Sequence, residues 1–509
     1  TVHLANATAE AMNATATLTV RDAFEKVARE ARLPVRLVGG RRTATTVRLP
    51  ADLRGAFRAD LHLGDQVLAR QVFSVLPEPR DIPAERSMLG DHLHYNDFNL
   101  WAARRMGTRW TRCHDGWTKV FKMYLIHPKP DMWVWNEPLG SSVGPDDAVK
   151  LARQHGIKIL GLLDEPPGWA AGMPGKNRCR WEFPTDWDAW QAYVRKTVGR
   201  YRDYIDAWEL YNEPSHTQKY LELSRKTREA FDQAAADARL IGLSNSPYTP
   251  MVKDFAKAGG TELLDGVTTH IYAWSPKGNL GANFRRIADI YRKDGRPMDH
   301  WMTEGNFRAS RGMFYPGHPR YDAERQDVQN LPRYLTVARA HDLKRLFYYW
   351  SNFPAPRPQD PVTANGWSFY HHDTSFTPGA AAWAVWGKML DGAEPLATIV
   401  DRDEEAYLFR DGDELVLALW AETPRTVTLP AGAFDKDAVA LRFDAMGNQA
   451  KVDLARPWDL ELDHFITYVR LRDATPRQAT GWVRKGLGLP DDWKVRKDGK
   501  LIREEDAFN

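Results

Sequence analysis

The 509-residue chain has few cysteines, no long apolar run and almost no net charge. No apolar stretch approaches the roughly 20 residues that a membrane-spanning helix needs. The 70 basic and 67 acidic residues leave a formal charge of +3, which indicates neither a nucleic-acid partner nor a membrane surface. Glycine-rich phosphate or dinucleotide motifs, internal repeats and Cys/His clusters at metal-ligand spacing are missing. The sequence therefore predicts no membrane span, no nucleic-acid partner, no cofactor and no metal.

Cys113 and Cys179 are the two cysteines, and both are expected in loops at one face of the fold. A disulfide between these loops and two buried thiols are both open, while a metal pair lacks further ligands. The chain starts at Thr1 without a segment that resembles a signal peptide. We expect an extracellular or periplasmic protein whose export signal was removed or was never included.

Two segments place a glutamate at the end of a strand. Residues 206–216 read DAWELYNEPSH, and the apolar run at 205–211 fits a buried parallel strand. Pro214 forces a turn, so Asn212 and Glu213 would emerge at the carboxyl end, where barrel substrates bind. Residues 299–306, DHWMTEGN, repeat the pattern with Glu304.

Glu213 and Glu304 thus end two separate strands. Paired carboxylates on different strands of one barrel suit glycoside hydrolysis, because one protonates the leaving oxygen and the other attacks or activates water. The alternative is that both are ordinary surface or ion-paired glutamates. Residues 135–138, WNEP, spell the same motif, but two prolines in their approach argue against a central strand. We expect Glu137 to lie in a loop, away from the catalytic pair.

Strand-like and helical patterns alternate eight times between residues 84 and 390, which predicts an α/β fold with a (β/α)8 barrel. Alternating apolar residues separated by turn signals predict an N-terminal β-sandwich at 1–83 and a C-terminal β-sandwich at 391–472. The N-terminal domain could bind carbohydrate or brace the barrel. The charged tail, 473–509, is weakly periodic and is expected as a surface strap or as disorder.

The fourth-strand sequence WELYNEP at residues 208–214 resembles that of retaining glycoside hydrolases built on (β/α)8 barrels. It is most similar to family 39, the β-xylosidase and iduronidase group, although Tyr211 stands where Trp is more usual. The resemblance covers roughly residues 85–475. It implies a glycosidase in which Glu304 is the nucleophile and Glu213 is the acid/base.

The resemblance also implies a set of substrate-binding residues around the two glutamates. Arg112 would keep Glu304 ionised, with a plain barrel-rim salt bridge as the alternative. His270 and Tyr272 resemble the family's sixth-strand pair, although a lone His is often a core residue. Trp350 resembles the indole that floors the sugar site, with a core Trp as the alternative. Trp117 and Arg308 are added because their loops lie at the barrel mouth, so the full set is Asn212, His270, Tyr272, Trp350, Arg112, Trp117 and Arg308.

We therefore expect an enzyme that hydrolyses O-glycosyl bonds of a carbohydrate substrate through a glycosyl-enzyme intermediate. Four long loops should wall the barrel mouth, which favours exo action on a short glycan over endo action on a polysaccharide. The loops are 113–144, 164–184, 305–321 and 351–377. A transglycosylase and a carbohydrate-binding protein on an inactive barrel are the alternatives; the sugar, the linkage and the oligomeric state stay open.

Basic side chains in these loops raise a second possibility, recognition of an anionic group on the substrate. They could equally be solvated or paired with nearby acids. They are Lys119, Lys122, Arg178, Arg180, Arg308 and Arg311.

Overall fold

The computed structural model describes residues 1–509 except 51, 115–117, 139–142, 236, 273–279, 307–319, 350–368, 371–373, 402–403, 498–499 and 509. Among the described residues, no helix is both long and apolar enough to cross a membrane.

The N-terminal region consists of antiparallel strands. They are β1 (Val2–Ala5), β2 (Met12–Asp22), β3 (Val27–Leu37), β4 (Arg42–Thr45), β5 (Gly55–Leu63) and β6 (Gln66–Val75). Strands β3-β2-β5-β6 form a four-stranded sheet, and β1 pairs with β4. Because side chains alternate along a strand, one side of the sheet buries its own small core, which includes Ala16, Leu33 and Leu61. On the other side, Ala23 and Ala56 join a core shared with the barrel and the C-terminal sheet.

The middle of the chain is a closed barrel of eight parallel strands. The first six barrel strands are β7 (Leu89–Asp91), β8 (Trp110–Arg112), β9 (Lys158–Leu163), β10 (Ala207–Leu210), β11 (Arg239–Asn245) and β12 (Gly266–Tyr272). A small separate hairpin follows, formed by β13 (Arg292–Lys293) and β14 (Arg296–Pro297). The last two barrel strands are β15 (His300–Asn306) and β16 (Arg345–Tyr348). Large side chains such as Trp110, Trp301 and Phe347 fill the barrel interior, so it is a packed core and not a pore.

Helices cover the outside of the barrel. They are α1 (Asp97–Arg105), α2 (Met123–Ile126), α3 (Pro145–Gln154), α4 (Trp187–Tyr201), α5 (Thr217–Ala234), α6 (Pro250–Lys257), α7 (Leu280–Ile290), α8 (Arg320–Ala340) and α9 (Pro378–Leu390). Short 3-10 turns span Ala84–Arg86 and Gly260–Leu263. Proline in the first turn of α3, α6 and α9 fits helix starts, since that position has no hydrogen-bond acceptor for an N–H.

Two local expectations about these helices were wrong. The sequence at 185–188 predicts Thr185 as the N-cap of α4, but Asp186 caps this helix. The Asp186 side chain accepts a hydrogen bond from the backbone N–H of Ala189 at 2.9 Å. The pattern at 284–293 predicts a helix up to residue 293, but α7 ends at Ile290. Asp294 and Gly295 both have positive φ angles, 50° and 74°, and they form the two-residue turn of the β13–β14 hairpin.

The C-terminal region is largely antiparallel sheet. Its elements are β17 (Glu394–Asp401), β18 (Glu404–Asp411), β19 (Glu414–Ala421), β20 (Arg425–Leu429), β21 (Val439–Phe443), β22 (Gln449–Val452), β23 (Trp458–Leu462), β24 (Thr467–Arg472), α10 (Pro476–Gly486), β25 (Lys494–Lys497), β26 (Lys500–Arg503) and α11 (Glu504–Ala507). One sheet has the order β22-β21-β24-β19-β18-β17-β25-β26, and β20 pairs with β23.

The tail expected as a strap or as disorder is therefore folded. Thr475 and Gln478 form a reciprocal capping box that starts α10, and β25 pairs with β17 through Thr398 and Arg496. Val483 and Val495 are buried in the C-terminal core. The weak periodicity of the tail hides these elements because each is short and buries only a few residues.

Gly161 in β9 provides a stability test of the barrel wall. A Cβ added there would overlap the ring of Trp208, which is fully buried on the neighbouring strand β10. We expect Gly161→Ala to lower the free energy of unfolding by about 1–3 kcal/mol. The measurement is urea-induced unfolding followed by tryptophan fluorescence.

The matched control is Gly199→Ala in α4, where an added Cβ meets no atom within 4 Å. It should be neutral or stabilise the protein by about 0.5–1 kcal/mol, because alanine favours a helix over glycine. Equal stability of the two variants would contradict the packing described for Gly161.

Candidate active site

Arg112 ends β8 at the centre of the barrel mouth, and its side chain is fully buried. Its Nε donates to Glu209 Oε2 at 2.5 Å, and its Nη1 donates to Glu304 Oε1 at 2.6 Å. Its Nη2 donates to Asn212 Oδ1 at 2.9 Å. Because a guanidinium is planar and always charged, these bonds fix the orientation of all three side chains. Glu209 lies in β10, Asn212 in the loop after it and Glu304 in β15.

Glu304 lies near the end of β15 with a side chain that is 6% exposed. Tyr272 donates its hydroxyl to Glu304 Oε2 at 2.7 Å, and His270 Nδ1 lies 3.6 Å from the same oxygen. His114 Nε2 is 3.3 Å from Oε1. Burial alone would raise the pKa of Glu304, but His270 and Arg112 outweigh it and lower the pKa to about 2. Glu304 is therefore held as a carboxylate.

Glu213 follows β10 on a strained segment. Tyr211 and Glu213 have positive φ angles of 60° and 50°, so the chain bends sharply before Pro214. The backbone N–H of Glu213 donates to the carbonyl of Ser244 at 3.2 Å, which ties this bend to β11. The side chain is 42% exposed, and its Oε1 lies 2.9 Å from His270 Nδ1. The bend thus lifts a carboxyl group to the accessible lip of the barrel.

The two glutamates meet across His270. One carboxylate oxygen of each and one ring nitrogen of His270 all lie within 4.8 Å of one another. Three such atoms could also hold a metal ion. Both oxygens of Glu304 also accept hydrogen bonds, from Arg112 and from Tyr272.

Glu209 is a buried carboxylate that the sequence reasoning did not single out. Besides Arg112, it accepts hydrogen bonds from Thr303 Oγ1 at 2.7 Å and from Ser244 Oγ. Burial would raise the pKa of Glu209, but the charges of Arg112 and His270 and the donated hydrogen bonds together lower it. The available signal was a single charged residue inside an otherwise apolar strand, since such a charge needs a buried partner.

Two histidines of the barrel mouth were also missed. His114 lies two positions after Arg112, so strand alternation places both on the inner face. His92 Nε2 lies 3.0 Å from the carbonyl oxygen of Thr303. Burial lowers the pKa of His92 to about 4 and lowers that of His114 well below its usual value. Both imidazoles are therefore neutral near pH 7.

Lys122, from the loop after β8, binds charged residues that follow β9. We call Lys122, Asp164, Glu165 and Arg178 the third-strand cluster. Lys122 is fully buried and donates to Asp164 Oδ2 at 3.2 Å and to Glu165 Oε1 at 2.5 Å. Arg178 Nη2 donates to Glu165 Oε1 at 2.8 Å. Two cations thus face two carboxylates, so these basic residues are compensated and not poised for an anionic substrate group.

Other expected features lie apart from the two glutamates. Glu137 is exposed in the loop between β8 and α3, and in the part of the chain that the structure describes it contacts neither Glu213 nor Glu304. Cys113 and Cys179 are buried free thiols, and Cys113 Sγ lies 2.5 Å from the hydroxyl of Tyr95.

The remaining candidate side chains of the barrel mouth lie partly within and partly outside the described part of the chain. Arg180, which is described, stacks over the ring of Trp181 at 4.8 Å. The candidates outside the described residues are Trp117, Arg308, Arg311 and Trp350.

Comparison with known proteins gives structural but no sequence matches: no family model and no curated protein matches the chain. The structure is similar to that of a family 39 glycoside hydrolase from the gut symbiont Bacteroides cellulosilyticus WH2. The TM-score is 0.66 at 18% sequence identity, over 91% of this chain and 95% of that one. A glucosidase from Croceicoccus marinus gives a TM-score of 0.50 at 11% identity, over 78% and 98% of the two chains. The chain therefore has the (β/α)8-barrel and β-sandwich fold of a family 39 glycoside hydrolase, as its fourth-strand motif predicted.

Proposed function

We propose that the protein is a retaining glycoside hydrolase. The observation that carries the proposal is the pair Glu213 and Glu304, which end separate strands and place carboxylate oxygens within 4.8 Å of each other. Retaining enzymes hold their carboxyl groups about 5–5.5 Å apart, whereas inverting enzymes need about 6.5–9.5 Å to admit a water molecule. The short separation favours double displacement.

In the first step, Glu304 attacks the anomeric carbon while Glu213 gives its proton to the departing glycosidic oxygen. The carbon–oxygen bond to the leaving group breaks as the ester bond to Glu304 forms. In the second step, Glu213 takes a proton from water, whose oxygen displaces Glu304 and releases the sugar. Tyr272 and Arg112 would orient the nucleophile through its two oxygens.

Asn212 is proposed to bind the sugar 2-hydroxyl. Its Oδ1 is held by Arg112 at 2.9 Å, which leaves the side-chain amide N–H groups available as donors. A hydrogen bond from this amide would strengthen as charge develops next to the anomeric carbon.

We further propose exo action on a short glycan or glycoside. The second and third strand-to-helix loops pack together into one wall beside the mouth. Met123 N–H donates to the carbonyl of Asp164 at 2.8 Å, and the Trp169 indole donates to the carbonyl of Pro128 at 3.1 Å. A wall on this side favours a pocket over a cleft that is open at both ends.

An extracellular or periplasmic location is proposed with this substrate class. Both thiols are buried, which is compatible with an oxidising compartment.

For the N-terminal domain we propose a bracing role, because Ser74 Oγ donates to the carbonyl of Phe376 at 3.0 Å beside α9.

Substitution of the two glutamates tests the mechanism. Glu304→Gln should abolish turnover of 4-nitrophenyl glycosides, because no covalent intermediate can form. Glu213→Ala should lose less activity on these activated substrates than on alkyl glycosides, whose leaving groups need a proton. Added azide should restore its rate and give a glycosyl azide with the anomeric configuration of the substrate.

The control for these variants is Glu137→Ala, which removes an exposed glutamate from the second copy of the Asn-Glu-Pro motif. It should hydrolyse the same substrates at the unchanged rate. Proton NMR of the first-formed sugar gives the stereochemistry, and an inverted product would refute double displacement.

The low pKa of Glu304 predicts a pH effect for Tyr272→Phe. Removing the hydroxyl takes away a donor to the ionised form, so the pKa rises from about 2 towards its ordinary value. The acidic limb of the kcat/KM profile should therefore move to higher pH, with a rate loss of about 10²–10³-fold. Tyr248→Phe, at an exposed tyrosine outside the site, should leave the profile in place. An unmoved acidic limb in Tyr272→Phe would contradict the assigned role.

Digestion of an oligosaccharide labelled at its reducing end tests exo action. An exo enzyme should shorten the labelled chain by one unit at a time from the other end, because a walled pocket admits only a chain terminus. Analysis of early time points by chromatography is the measurement. Mid-chain fragments at the first time points would establish endo action.

A further inference from the structure

The third-strand cluster contains a buried carboxylate oxygen for which the described part of the chain offers no hydrogen-bond partner. Asp164 Oδ2 is bonded to Lys122, but among the described residues Asp164 Oδ1 is buried and has no hydrogen-bond partner. Leaving a buried acceptor unpaired costs roughly 1–3 kcal/mol, and more for a charged group. Such an oxygen persists in a folded protein when a ligand or another donor completes it.

Strand register shows which way Asp164 faces. Leu160 pairs with Ala207, and both side chains lie in the barrel interior. Leu162 pairs with Glu209, whose carboxylate reaches Arg112 inside the barrel. Because side chains alternate along β9, the next inward position after Leu162 is Asp164. Asp164 thus follows the last inward residue of β9, at the mouth of the barrel.

The charge of Lys122 connects the cluster electrostatically to the catalytic pair. After burial, it is the largest cause of the lowered pKa of His114. His114 in turn lies 3.3 Å from Glu304. One histidine therefore separates the cluster from the candidate nucleophile.

The cluster is built to hold Asp164 in place. Glu165 has a positive φ angle of 48°, which is strained for a residue with a Cβ. Lys122 and Arg178 both bind its carboxylate, and the backbone N–H of Tyr124 donates to its carbonyl at 3.1 Å. Burial raises the pKa of Asp164 to about 6, although the charge of Lys122 acts in the opposite direction.

We propose that Asp164 Oδ1 accepts a hydrogen bond from a hydroxyl group of the sugar bound in the barrel mouth, with Lys122 as the positioning residue. The proposal rests on the proposed glycosidase function and narrows its substrate class. The two cations of the cluster are balanced by its two carboxylates, so a carboxylate or sulfate on the sugar would meet Asp164 as an anion. Asp164 therefore favours a neutral sugar that carries a hydroxyl group next to Oδ1.

The test pairs a substrate change with a side-chain change. The probes are the 4-nitrophenyl glycoside with the highest kcat/KM in a panel of common neutral sugars, and its analogues with one hydroxyl replaced by hydrogen. For one hydroxyl, the unchanged protein should discriminate against the deoxy analogue by about 100-fold or more, because Asp164 is then left unpaired. In Asp164→Ala this discrimination should shrink to about 3-fold or less, while that for the other hydroxyls persists. Lys122 keeps Glu165 as its partner in this variant.

Asp146→Ala is the matched control. Asp146 is also ion-paired, with Arg200 at 2.6 Å between two outer helices, and its removal should leave every discrimination ratio unchanged. If Asp164→Ala discriminates at each hydroxyl as the unchanged protein does, the proposal is wrong.

A second measurement does not depend on the folding of Asp164→Ala. In a crystal structure of Glu304→Gln with the parent glycoside bound, a sugar hydroxyl should lie within hydrogen-bond distance of Asp164 Oδ1. A bound sugar with no oxygen there overturns the assignment and leaves the proposed function intact. If the unchanged protein hydrolyses no glycoside, the proposed function fails and this assignment falls with it.

Discussion

The candidate site depends on one guanidinium that compensates two buried carboxylates at the mouth of the barrel. Arg112 is fully buried, as is Glu209, and Glu304 is nearly so. Removing one partner of a buried ion pair typically costs about 3–5 kcal/mol, because the remaining charge is left without compensation. The positive charge of Arg112 therefore allows the carboxylates of Glu209 and Glu304 to be buried close to each other. It also fixes the direction of Asn212, so one side chain sets both the charge and the geometry of the mouth.

Strain accumulates at the same end of the barrel. Tyr211, Glu213, Glu165 and Ser244 all follow or end barrel strands, and all have positive φ angles. Each such residue costs of order 1–3 kcal/mol and persists only when its surroundings hold it. The packed interior beneath, with Trp110, Trp301 and Phe347, supplies that rigidity. The bends aim side chains inward or upward at positions that a regular strand would not reach.

The sequence predicts those parts of the site that local pattern controls. Apolar runs that end in a polar residue identify strand ends, so the sequence alone is enough to place Arg112, Asn212, Glu213 and Glu304 at the mouth. Glu209 and Asp164 could not be assigned, because a buried charge is tolerated only through partners on other strands. The fold of the tail could not be predicted for a related reason, because α10 and β25 are stabilised where they pack against the C-terminal core. Pairing across the fold is not visible in local periodicity.

The same tertiary pairing gives two chemically identical side chains different environments. Glu304 is buried, both of its oxygens accept hydrogen bonds, and its pKa falls to about 2, which suits a nucleophile that must stay ionised. Glu213 is 42% exposed, and His270 is within hydrogen-bond distance of one of its oxygens. An acid/base must meet the leaving oxygen and then a water molecule, so access matters more for it than rigid fixation. In the proposed mechanism, the full hydrogen bonding of Glu304 suits it to attack the sugar, and the exposure of Glu213 at the barrel mouth suits it to exchange protons.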